Sequence, residues 1–224
     1  MNRNDRKIRF LDVDIYPVTC EELSAGRSNP EVLKAVIRGG AKIIQLREKE
    51  YATRALYELA LRFREITARA GVLLIVNDRL DIALAVEADG VHLGQDDLPL
   101  IAARKIAPEL LIGISTHSLE EALQAQTDGA DYINIGPIFP TKTKKGVESF
   151  LGPDGMTAIS RKIELPFTVM GGINESNIDQ VLARGAHRVA MVTAITQAPD
   201  IVESVRALRG KIVTALPESV RGGV

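Results

Sequence analysis

Residues 75–97 read IVNDRLDIALAVEADGVHLGQDD, and this stretch decides the fold. Leu73–Val76 is a short apolar run with a β-branched end, and Gly90–Leu93 is a second one. Between them, Leu80, Ala83 and Leu84 recur at helical spacing, and Gly90 stands where a helix stop belongs. The reading is a strand ending in Asn77-Asp78, a helix, and a strand ending in Gln95-Asp96-Asp97. Two strands joined by one helix are parallel and neighbours, so both end on the same rim, each with a carboxylate. Such a pair can share a hard cation: Mg²⁺ takes one or two protein carboxylates and leaves its other positions to water and phosphate oxygens. The competing reading is that Asp78 caps the helix after it and Asp96 or Asp97 the next one, because Asp is a favoured N-cap.

Outward from that unit the same pattern repeats. Asp14–Thr19, Lys42–Leu46, Leu111–Ser115, Tyr132–Gly136, Phe167–Met170 and Arg188–Val192 read as further strands. Helices stand between them. One opens at Asn29-Pro30 and closes at Gly39-Gly40, and one carries Leu56, Leu59, Ala60 and Phe63 on one face and stops at Gly71. Leu100–Ala107 stops at Pro108. Ser118-Leu119-Glu120-Glu121 fits a capping box. A modest helix covers Pro153–Lys162, one is capped by Asn174, and a last one runs from Pro199-Asp200 to about Leu208. Four joins look alike: GGAKIIQL, EADGVHLG, DGADYINIG and RGAHRVAMV. Eight alternating units in 224 residues without a break argue for one domain, a (β/α)₈ TIM barrel with its core over about 14–210. An open doubly wound sheet is the runner-up. Residues 1–10 read as a loose or edge-hugging lead, and those after Val213 as a frayed tail.

Composition narrows the class. Hydrophobic content of 46% and charged content of 25% are ordinary for a globular protein, and a net charge of −1 gives no general attraction to nucleic acid or anionic membrane. One cysteine, Cys20, excludes an intrachain disulfide and fits a reducing cytoplasm. The N-terminus has no apolar core of a signal peptide, and no apolar run is long enough to span a bilayer.

In such a barrel the site lies at the C-terminal ends of the strands. Polar residues gather there: Gln45, Arg47 and Lys49; Asn77 and Asp78; Gln95 and Asp97; Ser115 and His117; Thr141, Thr143 and Lys144; Gly172; Thr193. Seven strands feed one mouth, which favours metal over cap for Asp78 and Asp97. Arg47, Lys49 and Lys144 beside a two-carboxylate site suggest a diphosphate held between them; Lys145 reads as a solvated charge. Gly171-Gly172 and Val192-Thr193 stand where this fold holds phosphate on backbone N–H groups. His92 reads as a packed barrel residue, His187 lies at the opposite rim, and His117 reads as positional or capping. Cys20 ends the first strand as a small buried hydrophobe.

QLREK at 45–49, ND at 77–78, GVHLGQDDLP at 90–99, GPIFPTKTK at 136–144 and GGI at 171–173 together resemble the thiamine-phosphate synthase family. The resemblance runs from about Tyr16 to about Leu208. It implies a transferase that joins 4-amino-5-hydroxymethyl-2-methylpyrimidine diphosphate to a thiazole phosphate with Mg²⁺ as cofactor. It also implies small-molecule partners, and is compatible with a homo-oligomer. By motif, Gln45, Arg47, Lys49 and Asn77 would bind the pyrimidine diphosphate, with Leu46 and Glu48 in the same substrate-binding stretch. Asp78 and Asp97 would hold Mg²⁺. Ser115 and Lys144 would contact the diphosphate, Thr141, Thr143, Gly172, Val192 and Thr193 would hold the thiazole phosphate, and Lys142 would belong to the same substrate-binding set. Arg47, Lys49, Ser115 and Lys144 would be the catalytic set. Cys20 stands where the family often has Asp, Thr193 where it often has Ser, and Met170 where a smaller residue is more common. A thiazole tautomerase working through His117 is the nearest rival, and a non-catalytic binder of thiamine phosphate another. Both would be expected to have lost the metal carboxylates.

Overall fold

A computed structural model describes residues 1–141 and 149–216. Its strands are β1 (Ile15–Pro17), β2 (Ile43–Leu46), β3 (Leu73–Asn77), β4 (Gly90–Leu93), β5 (Leu111–Thr116), β6 (Tyr132–Ile135), β7 (Phe167–Val169) and β8 (Val189–Met191). All pair in parallel, in the order β1-β8-β7-β6-β5-β4-β3-β2. The seam between β1 and β2 is closed by a bridge from Val18 to Gln45 and by Thr19 N–H donating to the Gln45 carbonyl at 2.9 Å. The sheet is therefore a closed barrel. The helices are α1 (Arg3–Leu11), α2 (Asn29–Arg38), α3 (Thr53–Ala70), α4 (Leu80–Ala85), α5 (Leu100–Ile106), α6 (Leu119–Thr127), α7 (Gly152–Ser160), α8 (Ile178–Leu182), α9 (Thr193–Thr196) and α10 (Ile201–Ala215).

Strand alternation sorts side chains into two cores. Ile15, Ile44, Leu46, Leu74, Val76, Val91, Leu93, Ile112, Ile133 and Val189 point outward and pack under the helices. Tyr16, Ile43, Leu73, Ile75, Leu111, Tyr132 and Ala190 fill the barrel itself, with Phe10 and Val13. Gly113 makes room for the Tyr132 ring: a Cβ there would lie 2.1 Å from it. Gly113→Ala is expected to cost about 1–3 kcal/mol by overpacking, read as a lower urea midpoint at unchanged slope. A wild-type midpoint would mean the ring has somewhere else to go.

Several expectations change. Residues 1–10 are no loose lead. Arg3–Leu11 is a helix with Asn2 as its N-cap, and Phe10, 2% exposed, plugs the N-terminal end of the barrel with its ring stacked 4.2 Å from Tyr132. The segment RNDRKIRFL is so charged that one apolar anchor and long arginine stems carry the packing, a pattern that periodicity does not flag. The last helix outruns Leu208, to Ala215, because Ile212 is also buried. Asn177, not Asn174, sits at the N-cap of α8, while Asn174 accepts from Ser176 N–H at 2.9 Å in the preceding turn. Ser28 precedes α2, and Glu31 closes its capping box by accepting from Ser28 N–H at 2.8 Å. In α6, Ser118 caps Glu121 N–H as expected, but the Glu121 carboxylate turns to His117 instead of Ser118.

Candidate active site

The C-terminal ends of the strands bring most of the candidate side chains to one mouth. Asn77 ends β3, and Asp78 follows it at φ +60° with its N–H donating 2.8 Å to the His92 carbonyl of β4. A left-handed non-glycine residue is uncommon, and aspartate is one of the side chains that tolerate it. The residue at the N-cap of α4 is Arg79, and that of α5 is Pro99, neither with a side-chain cap bond. The capping role that competed for Asp78 and Asp97 is thus not what these carboxylates do.

They face each other instead. The two carboxyls lie within hydrogen-bond reach, and Lys49 Nζ stands 3.3 Å from Asp78 Oδ2. Burial, and then Asp97, push the Asp78 carboxyl above its ordinary range, against the pull of Lys49. Asp97 is braced by Gly94 N–H, which donates to its Oδ2 at 2.6 Å. Two half-buried carboxylates pressed together are a poor arrangement for a protein alone and a good one for a divalent cation. The donor set fits Mg²⁺, whose remaining positions would go to water and phosphate.

Around this pair the β1–α2 and β2–α3 loops are clamped together. Thr19 Oγ1 accepts from Arg47 N–H at 2.9 Å, and Glu48 Oε1 accepts from Glu21 N–H at 2.9 Å. Glu21 Oε2 accepts from Asn29 Nδ2 and the Tyr51 hydroxyl at 2.7 and 2.9 Å. Burial raises the Glu48 carboxyl, against the pull of the Glu21 N–H and the Asn29 side chain. Glu48 therefore braces the loop that carries Arg47 and Lys49. Leu46 points away from the mouth, into the layer under the helices. Cys20 lies beyond β1, half-buried ahead of a 3₁₀ turn at Glu21–Leu23, and its thiol is pushed up by burial first.

On the opposite side of the mouth, Gly171 and Gly172 follow β7 at φ +107° and +63°. A Cβ on Gly172 would lie 2.4 Å from the Pro140 carbonyl, and one on Gly171 2.5 Å from Pro137. Both glycines let the segment after β6 pass close by. Val192 precedes α9, whose first turn begins at Thr193, and its carbonyl accepts from Ile195 N–H and Thr196 N–H. Thr141 is half-buried at the end of the described part of this loop. Lys142, Thr143, Lys144 and Lys145 lie outside the described residues.

Beneath the mouth runs a polar chain that strand patterns did not announce. Gln45 Nε2 donates to the Tyr16 hydroxyl at 3.1 Å, which lies 2.9 Å from the Tyr132 hydroxyl. That hydroxyl is 3.2 Å from His92 Nδ1, and His92 Nε2 is 2.9 Å from Ser115 Oγ. Burial lowers His92 to about 4, with Asp97 opposing, so the ring is neutral. The signal available beforehand was two tyrosines in strands at inward-facing positions, each needing a partner for its hydroxyl. His117 donates from N–H at 2.7 Å to Glu121 Oε2, which also lies 3.0 Å from Nδ1. These bonds tie His117 to the first turn of α6. Asn134 and Thr168 add a further buried pair at 2.8 Å.

Known proteins agree with this architecture. The family model described as thiamine monophosphate synthase matches residues 15–195. Thiamine-phosphate synthase of Chloroflexus aurantiacus is 48% identical over 203 residues, covering 91% of this chain and 94% of that protein. The enzyme of Pelotomaculum thermopropionicum is 51% identical over 204 residues, with the same coverage of 91% and 94%. Among solved structures, thiamine phosphate pyrophosphorylase from Pyrococcus furiosus superposes with a TM-score of 0.86 at 37% identity, covering 94% of this chain and all of that one. On its matched barrel and these relatives, the chain belongs to the thiamine-phosphate synthase family.

Proposed function

We propose that this chain condenses 4-amino-5-hydroxymethyl-2-methylpyrimidine diphosphate with a thiazole phosphate, releasing thiamine phosphate and diphosphate. The observation that carries the reading is the Asp78–Asp97 pair facing Lys49 at the barrel mouth, in a chain of this family. Bound Mg²⁺ would neutralise charge on the departing diphosphate. Asp78 and Asp97 hold it. Arg47, Lys49 and Lys144 take up the remaining negative charge, and Ser115 gives the diphosphate a hydrogen bond. Gln45 and Asn77 orient the pyrimidine. Thr141, Thr143, Gly172, Val192 and Thr193 seat the thiazole phosphate and aim the ring nitrogen.

In this reaction the methylene–oxygen bond breaks with its electron pair leaving on diphosphate. The pyrimidine amino group feeds density to the methylene carbon, and the thiazole nitrogen supplies the new pair. No proton need move, which suits a mouth whose buried histidine is neutral and hydrogen-bonded on both sides. A tautomerase working through His117 would leave the carboxylate pair without a purpose. The same proposal puts the enzyme in the cytoplasm with small-molecule substrates and allows a homo-oligomer. No helix among the described residues is long and apolar enough to cross a membrane.

The test is diphosphate release from both substrates together, with and without Mg²⁺. Release that needs all three components is the expected result; none, with tautomerase activity present, would overturn the reading. Lys144→Ala is expected to slow single-turnover release by roughly 10-fold or more through loss of a charge-assisted contact, and a wild-type rate would take Lys144 out of the site.

A further inference from the structure

The chain Gln45–Tyr16–Tyr132–His92–Ser115 crosses the barrel from β2 to β5. Gln45, Tyr16, Tyr132 and His92 are 3%, 1%, 0% and 6% exposed, while Ser115 is half-buried and opens to the mouth. Each hydroxyl has one hydrogen to give. Gln45 Nε2 donates to Tyr16, so the Tyr16 hydrogen goes to the Tyr132 oxygen, the other partner of that hydroxyl. The Tyr132 hydrogen then goes to His92 Nδ1. Among the described residues no carboxylate bonds this enclosed imidazole, so it carries one proton, and that proton is on Nε2. It donates to Ser115 Oγ. The Ser115 hydroxyl hydrogen is left over, unused by the chain beneath it. Reversing the chain with Gln45 unturned would strand the Tyr16 hydrogen inside the barrel, a costly loss in a buried site.

We propose that Tyr16, Tyr132 and His92 form a directional hydrogen-bond relay that makes Ser115 a hydrogen-bond donor to the leaving diphosphate, with Tyr132 as its positioning residue. The inference rests on the reading of Ser115 given under Proposed function. It links both ends of the substrate site: the Gln45 amide that orients the pyrimidine also sets the direction in which Ser115 faces the diphosphate. A serine held the other way would present a lone pair to an anion and repel it.

The first measurement is ¹⁵N NMR of the histidine-labelled full chain, assigned through His92→Asn. The expected result is a single His92 tautomer with hydrogen on Nε2 and a bare Nδ1 at neutral pH. A proton on Nδ1 would overturn the relay's direction, and this test needs neither activity nor a Tyr132 variant that folds. The second is Tyr132→Phe. It should release the tautomer into a mixture and lower kcat for diphosphate release by roughly tenfold, with KM for the thiazole phosphate within about twofold of wild type. A packing role alone would leave the tautomer untouched; wild-type kcat in Tyr132→Phe would overturn the positioning role. Ser115→Ala with wild-type turnover would instead overturn the reading of Ser115, and the relay's purpose with it, while the tautomer signal would still report the direction.

Discussion

Asp78→Asn and Asp97→Asn are each expected to lower magnesium-dependent diphosphate release by about 100-fold, the loss of a few kcal/mol of charge stabilisation at the leaving group. The same substitutions should act on stability in the opposite sense. The Asp78 carboxyl titrates above its ordinary range because burial and Asp97 oppose its charge. A raised carboxyl favours the folded state while both states are protonated. As pH rises past the unfolded value, roughly 4, the unfolded chain ionises first, and native stability drains until the folded carboxyl ionises too. Asp78→Asn removes that drain. Without divalent ion at pH 7 it should therefore melt higher than wild type, and the gap should close below about pH 4. Asn also tolerates the left-handed backbone at this position. Added Mg²⁺ should raise the wild-type melting temperature and not that of the variant. Undiminished Mg²⁺-dependent turnover in either variant would falsify the metal assignment, and equal melting at pH 7 would mean that the two carboxylates do not repel.

This opposition explains which parts of the molecule could be read from its sequence. The βα alternation was legible because each strand is a continuous apolar run and each helix is bounded by a cap or a glycine, as at Ser118 and Gly71. The placing of Asp78 and Asp97 at neighbouring strand ends followed from topology alone. That they face each other did not, since it depends on the left-handed turn at Asp78 and the Gly94 brace on Asp97. Leu46 and Glu48 show the limit of reading a motif as a unit. One alternates outward under the helices and the other is drawn into the loop clamp with Glu21. The tyrosine relay was hidden for a different reason. Tyr16 and Tyr132 lie 116 residues apart, and only barrel closure brings their hydroxyls within 2.9 Å. Helix α1 was missed because its contribution is one phenylalanine and several arginines, which local hydrophobicity cannot distinguish from a solvated lead.

Those arginines serve the opposite rim, where Asp131→Ala is expected to cost about 3–5 kcal/mol, the penalty for removing one partner of a buried ion pair. For a chain of this size that lowers the melting temperature by about 10 °C. Asp131 precedes β6 with its side chain almost fully enclosed. Its Oδ1 accepts from Arg3 Nε at 2.8 Å, and its Oδ2 from an Arg104 guanidinium nitrogen at 2.6 Å and from Ile112 N–H at 2.8 Å. Alanine would take the counter-charge from two guanidiniums, which keep only backbone carbonyls as partners, and the acceptor from a buried backbone donor. Arg104 is the more exposed to this loss, because burial already opposes its charge and Asp131 is what supports it. The arrangement recurs at Asp89, which accepts from Arg64 and from Leu74 N–H. In the two like-sounding joins, EADGVHLG and DGADYINIG, the aspartate before the strand thus ties an N-terminal strand end to the strand before it. Asp131→Asn should fall between wild type and alanine: an amide oxygen can still receive Ile112 N–H, but the guanidiniums lose their counter-charge. Equal losses in the two variants would assign the whole effect to charge. Steady-state kcat at 25 °C should stay within about twofold in both, because Asp131 and its arginines lie at the rim opposite the proposed substrate site. A kcat loss as large as that of Asp97→Asn would show that the two rims are not independent.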